Sequence, residues 1–405
     1  MDHTMVEGTL DVSEIWDAPH IYSNWLAAEK GLRVFSIYEY PLLTDARIIG
    51  HTIEGYGPYK FINPKPSQEK IGLIKPSIIL RINAHVAGSK IVDFCKKRSI
   101  ELIYEGGAQE QIATLTSLAL GVRIKAGGCI RIFSPLEEKV DPLGVPIGWH
   151  DKPYPILQID QRGLVLPNVV GPHSLEDLKP FSQILSISPE NIVALIRAAK
   201  LYQDALWIAE SEPALSWLMF VSALETAANQ WRKEKDNHIE RFKNFKEGRL
   251  FELLTKYCDQ EIINNVASLI ADSLGSTKKF IDFVIEFLPG PPAKRPPPDA
   301  RMDWSKQTMK KILDKIYQYR SDALHEGTPF PDPMCSRPTW ESPWEAPAEK
   351  YIGGVLNLTM DDKEKIWFNK KFPILLNTFE YITRGTLIKW WKSISTNQMQ
   401  SVDRS

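Results

Sequence analysis

Ile316-Tyr-Gln-Tyr-Arg-Ser-Asp-Ala-Leu-His-Glu-Gly327 is the stretch on which the reading of this chain turns. Leu313, Ile316, Tyr317, Arg320 and Leu324 recur at helical spacing, which predicts a long helix from about Asp303 to His325. Gly327 and Pro329 follow where a helix stop places them. Arg320 falls on the stripe expected to face the core. An unpaired guanidinium there is costly, so it needs a carboxylate or a phosphate. Glu225, in Leu218-Met-Phe-Val-Ser-Ala-Leu-Glu-Thr-Ala-Ala228, interrupts a second apolar face. Two opposite charges on two buried faces are expected to meet. Asp204 offers a further carboxylate, at a marginal helix phase.

Outward from this stretch the helical period holds back to about residue 190. Helices are predicted at about Asn191–Ala209, Pro213–Lys233, Leu250–Tyr257, Ile262–Leu274 and Lys278–Phe287. Pro289-Gly-Pro-Pro292 and Pro296-Pro-Pro298 break the chain. A Pro/Trp-rich insertion spans residues 328–360, and Asp361 or Asp362 caps a last helix expected to reach about Ser393. Before residue 190, short β-branched and aromatic runs alternate with Gly, Pro and Asp: Leu32–Tyr40, Ser77–Ile82, Leu102–Tyr104 and Val122–Phe133. Gly127-Gly128 predicts a hairpin turn, and helices are expected at Gly88–Arg98 and Gly107–Leu118. The fold class is therefore an α+β domain (1–187) followed by an all-helical bundle (188–396) with a disordered tail (397–405). The fragment from Ser188 onward is expected to fold alone.

His325 closes the long helix, where the C-terminal dipole favours the imidazolium. A histidine beside a fixed cation suits RNA transesterification. The imidazole moves a proton while the guanidinium neutralises the developing phosphorane, and no metal or cofactor is required.

Arg320-Ser-Asp-Ala-Leu-His325 fits the RxxxxH motif of the HEPN superfamily, and the wider pattern resembles its ApeA-like branch. Leu201-Tyr-Gln-Asp-Ala-Leu206, Ala223-Leu-Glu225, Tyr317-Gln-Tyr-Arg-Ser321 and the run Leu376–Lys389 carry the rest of the resemblance. It implies a HEPN-like bundle acting as a metal-independent endoribonuclease, dimerised so that both RxxxxH motifs face one cleft. It also implies a role in anti-phage defence or as a toxin, with a phage-derived or antitoxin partner. Arg320 and His325 are the expected catalytic pair, supported by Glu225, Asp204, Tyr317, Ser321 and Asp322. Ser321 stands where many relatives carry Asn, Asp or His. The alternative is a non-catalytic module that binds a nucleotide or a protein.

The net charge of −1 announces no global affinity for nucleic acid, so any RNA site must be local. Arg232, Lys233 and Lys235, with Arg241, Lys243 and Lys246, read as a solvated face and as the best candidate for a phosphate track; Trp390-Trp391 is expected to be buried against the bundle or a dimer partner, with base stacking as the alternative. Trp340 and Trp344 are placed either to cover the cleft or to contact the N-terminal domain. Cys95, Cys129, Cys258 and Cys335 are too scattered for a zinc site, and His85, His150 and His173 lack metal-ligand spacing. With no signal peptide and no membrane-length apolar run, a soluble cytoplasmic protein is expected.

Overall fold

The computed structural model describes residues 18–62, 72–86, 106–135, 142–147, 153, 155–159, 163–233, 248–271, 275–339, 346–352 and 371–402. Its N-terminal region is built on an antiparallel sheet, and its C-terminal part is mostly helical. Packing divides the chain into two units. One comprises residues 1–159, 168–203 and 391–405; the other comprises 160–167 and 204–390. The division falls between Gln203 and Asp204 rather than at the 187/188 junction read from the sequence.

In the first unit, helix α1 (His20–Glu29) precedes β1 (Ser36–Thr44), β2 (Arg47–Ile49), β3 (Ile53–Tyr56), β4 (Tyr59–Ile62) and β5 (Lys75–Ala84). Helix α2 (Ala108–Leu120), β6 (Lys125–Ala126), β7 (Arg131–Phe133), β8 (Val145–Pro146) and β9 (Pro172–Ser174) follow. The main sheet runs β3-β4-β5-β1-β7-β8, and β2 pairs in parallel with β9. Period-two alternation sends Leu80, Ile82, Tyr59 and Phe61 to one face, where all four are buried. Helix α2 is buried from Gln111 through Leu120. Arg123 donates to Asp45 at 2.8 Å, with both side chains fully buried.

The hairpin expected across Gly127-Gly128 does not form. Strands β6 and β7 both run antiparallel to β1, with Leu42 opposite Ala126 and Glu39 opposite Arg131. They are one interrupted strand, with the excess residues bulged out around the glycines. A Cβ on Gly127 would lie 2.7 Å from Pro41 Cγ, so the bulge needs glycine there. Strand β1 also starts later than the run Leu32–Tyr40 suggested. Leu102–Tyr104 and the helix expected at Gly88–Arg98 lie outside the described residues.

Helix α3 (Pro189–Ile208) begins in the first unit, where Gln203 Nε2 donates to the Ile124 carbonyl at 2.6 Å. The second unit is built on α4 (Pro213–Lys233), α5 (Gly248–Tyr257), α6 (Gln260–Ala271), α7 (Ser276–Glu286), α8 (Lys306–His325), the short α9 (Asp332–Cys335) and the first part of α10 (Leu376–Val402), whose residues from Trp391 on belong to the first unit. Aromatic side chains join the major helices. Phe280 of α7 lies 5.4 Å from Tyr317 of α8, Trp231 of α4 lies 5.7 Å from Phe283, and Phe283 lies 5.9 Å from Trp390 of α10.

Two expectations for the C-terminus are corrected. Phe372-Pro373-Ile374-Leu375 is not helical, because proline lacks the N–H that a helix interior needs, so α10 starts at Leu376. Asp361 and Asp362 lie outside the described residues. Helix α10 also continues through Val402, so residues 397–402 are helical rather than a disordered tail. Among the described residues, no helix is long and apolar enough to cross a membrane.

Candidate active site

Helix α8 starts at a built cap. Ser305 Oγ accepts the Thr308 N–H at 3.3 Å, and Asp303 accepts from Ser305 and Thr308. It ends at His325, with the Glu326 N–H returning to the Asp322 carbonyl at 2.9 Å and Gly327 at φ +69°. Between these ends Leu313 and Ile316 are fully buried and Tyr317 nearly so.

Beyond Tyr317 the stripe emerges. Arg320 is 22% exposed, and Leu324, expected to face the core, is 53% exposed. Ser321 and Asp322 are half-buried and His325 is exposed. Five residues of α-helix separate Arg320 from His325, roughly 7.5 Å along the axis and about 140° around it. The two therefore project from different faces of α8.

The expected meeting of Arg320 and Glu225 is present. Arg320 Nη2 donates to Glu225 Oε2 at 2.9 Å, and Glu225 is 17% exposed. Tyr317 Oη donates to the other oxygen, Oε1, at 2.8 Å. The guanidinium carbon sits 5.5 Å from the centroid of the Tyr317 ring. Burial, followed by the neighbouring Glu225 carboxylate, pushes the phenol up to about 12 against the opposing influence of Arg320 and Ser276. Tyr317 is thus a committed donor at neutral pH. Asp204 is half-buried on α3; the carboxylate that Arg320 holds is Glu225. Arg320 Nε is buried and makes no hydrogen bond.

No protein-family model matches the chain, and no curated protein or solved structure matches it at significance. The chemistry of the site rests on its own geometry.

Of the two readings of Trp390-Trp391, the structure bears out burial. Trp390 and Trp391 are both fully buried: Trp390 packs edge-on to Phe283 and Trp391 edge-on to Phe181 at 5.6 Å, leaving no face for a base. Arg232 is half-buried and donates to Asp282 at 3.2 Å. Lys233 is the last residue of α4. Lys235, Arg241, Lys243, Lys246, Trp340, Trp344 and His150 lie outside the described residues. His85 Nδ1 lies 2.6 Å from the Leu32 carbonyl and His173 Nε2 lies 3.1 Å from that of Asn168, each with a backbone partner.

The sequence reading missed the segment after the motif, where Phe330 stacks on Trp217 and holds the chain leaving His325.

Proposed function

We propose that this chain is a metal-independent endoribonuclease of HEPN type, whose helical part is a HEPN-like bundle that works as a homodimer. The observation that carries the reading is the pairing at the end of α8. A guanidinium tethered by one 2.9 Å bond to Glu225 remains partly exposed, one and a half turns before an exposed histidine. The guanidinium supplies fixed positive charge and the imidazole a proton carrier, which are the two elements that 2′-hydroxyl attack on a phosphodiester requires.

In that reaction an imidazole takes the 2′-hydroxyl proton, and the 2′-oxygen bonds to phosphorus. The P–O5′ bond breaks and the leaving 5′-oxygen takes up a proton. The products are a 2′,3′-cyclic phosphate and a 5′-hydroxyl, while Arg320 balances the extra negative charge of the phosphorane. Because Arg320 and His325 point from different faces of one helix, a second copy is needed to bring arginine and histidine to one phosphate. A nuclease with a separate N-terminal region suits gated action, such as anti-phage defence or a toxin released from an antitoxin.

The divergence of the two side chains within one protomer also favours a second reading, a non-catalytic module that binds a nucleotide or a protein. Incubating purified protein with tRNA and mRNA in EDTA separates the two. Cleavage to cyclic-phosphate ends supports the nuclease, and intact RNA at high protein concentration defeats it.

A further inference from the structure

Helix α8 carries Lys306, Lys310, Lys311 and Lys315 in its first half, against the single acid Asp314. The helix dipole favours acids at the start of a helix and bases at its end. Helix α8 runs the other way, for its first turn holds no acid and begins with Lys306. These lysines are therefore not there for the helix's own stability. Asp303, just before the helix, is committed to the cap, where it accepts from Ser305 and Thr308. Lys306, Lys310 and Lys311 are exposed, and among the described residues none of them makes an ion pair, although Asp314 lies one turn on. Lys315 is held differently: its Nζ donates to Gln318 Oε1 at 2.9 Å and lies 4.7 Å from the centroid of the Tyr319 ring.

Helical register ties the lysines to His325. Fourteen residues separate Lys311 from His325, about 40° short of four full turns, and fifteen separate Lys310 from it, about 60° past them. Gln307, Asp314 and Gln318 fall between those two directions and are exposed as well. One solvent-facing stripe thus leads from the lysines to the exposed imidazole, about 21 Å along the axis, and Arg320 lies off it.

We propose that this stripe is the track on which single-stranded RNA docks, with Lys306, Lys310 and Lys311 on the phosphates of the strand whose scissile bond lies at His325. The inference rests on the reading of His325 as the proton carrier of an RNA-cleaving site. Charge complementarity names the partner. Three ammonium groups without a carboxylate, close together on one helix, suit a chain of repeated phosphates, and lysine meets each phosphate as a point charge. The lysines are positioning residues. They stand too far from the reacting atoms to enter the chemical step, so they govern binding alone.

The test replaces all three, as Lys306→Gln, Lys310→Gln and Lys311→Gln in one chain. The side chains are exposed, so the melting temperature should not fall. Affinity is measured across a range of salt for a mixed-sequence RNA of about sixteen nucleotides, 2′-O-methylated throughout so that 2′-hydroxyl attack cannot cleave it. Losing three phosphate contacts on a single strand should make the slope of log affinity against log salt shallower by about two. Lys179→Gln, at an exposed lysine of the first unit, should leave the slope where it is. With cleavable RNA of the same length the triple variant should raise KM and keep kcat. A dinucleotide, too short to reach from His325 to the lysines, should be cut equally by both proteins.

An unchanged slope in the triple variant overturns the inference alone. So does an equal change per lysine in Lys179→Gln, which would make the attraction diffuse, or an equal KM rise on the dinucleotide, which would place the lysines at the cleft. Polyglutamate that displaces the RNA at equal charge would assign the stripe to an acidic protein and overturn it too. Wild-type protein that neither binds nor cleaves RNA sinks the nuclease reading and takes the inference with it.

Discussion

The indole of Trp217 stacks on the ring of Phe330 with centroids 5.1 Å apart and planes 7° from parallel, five residues beyond His325. The other face of the indole meets Phe379 at 4.6 Å, and its Nε1 donates to the Met334 carbonyl at 3.3 Å. The chain that leaves the RxxxxH motif is thus pinned between α4 and α10 before it can wander.

Phe330→Ala should unpin that exit. The ring is almost fully buried, so the cavity should cost about 3–5 kcal/mol. Thermal melting should report the loss, and RNA cleavage should fall as His325 loses its fixed position. Phe330→Leu should recover much of both. A melting temperature untouched by Phe330→Ala would mean the stack does not form in solution.

Glu225→Ala removes the acceptor shared by Tyr317 and Arg320. Both groups retain some solvent access, so the cost falls below that of a fully buried ion pair, at roughly 1–3 kcal/mol. Turnover should drop as Arg320 loses its tether. Glu225→Asp should be intermediate, because a shorter side chain cannot hold both donors. Stability and turnover both equal to wild type would show that the pair is not made.

The pairing of Arg320 with Glu225 was legible in the sequence because a charge on an apolar helical stripe is an anomaly with one cheap solution. Helix α4 was read to its observed ends, and α8 to within three residues, for the same reason: period and caps agreed. The exposure of Leu324 was not legible, since periodicity says which residues share a face but not where along the helix that face runs out of partners. Nor was the Gly127-Gly128 bulge. Two glycines between β-prone runs fit a hairpin as well as an interrupted strand, and only the continuous length of β1 decides between them. Trp390-Trp391 shows the same limit, because an aromatic pair beside lysines reads alike on a surface or in a core.

A fragment starting at Ser188 should misfold rather than stand alone, contrary to the sequence expectation. The stretch of α3 through Gln203 belongs to the first unit, where Gln203 bonds the Ile124 carbonyl and Thr114. Ala198, Ala199 and Tyr202 are fully buried in the intact chain. Expression of residues 188–402 should give aggregated protein that lacks a cooperative melt. A soluble fragment with a sharp transition would show that the helical part is self-sufficient.

The proposed homodimer rests on the divergence of Arg320 and His325 on α8. Leu324, 53% exposed between them, offers an apolar contact for a second copy at the site. Leu324→Asp should leave the melting temperature of the isolated fold nearly unchanged, because the side chain is already half in water. It should also shift light scattering from dimer toward monomer and reduce cleavage. A wild-type protein that is strictly monomeric at micromolar concentration and fully active would sink the shared cleft.

Arg320→Ala and His325→Ala should each abolish cleavage while the fold stays intact. The reason differs for each residue. In the proposed reaction Arg320 faces a phosphorane that carries more negative charge than the ground state, and losing such a contact costs about a hundredfold or more in rate. In the same proposal His325 moves the proton, and losing a general acid–base costs about as much. Arg320→Lys should rescue poorly, since a point charge cannot match the planar fork that a phosphodiester accepts. His325→Ala should retain RNA affinity and lose turnover, whereas Arg320→Ala should lose both. Cleavage by wild-type protein should persist in EDTA and fail on a substrate with a 2′-deoxy residue at the scissile position, because the attacking oxygen is then gone. Equal cutting of DNA, or cleavage that EDTA stops, would place the chemistry elsewhere and leave Arg320 and His325 as scaffolding.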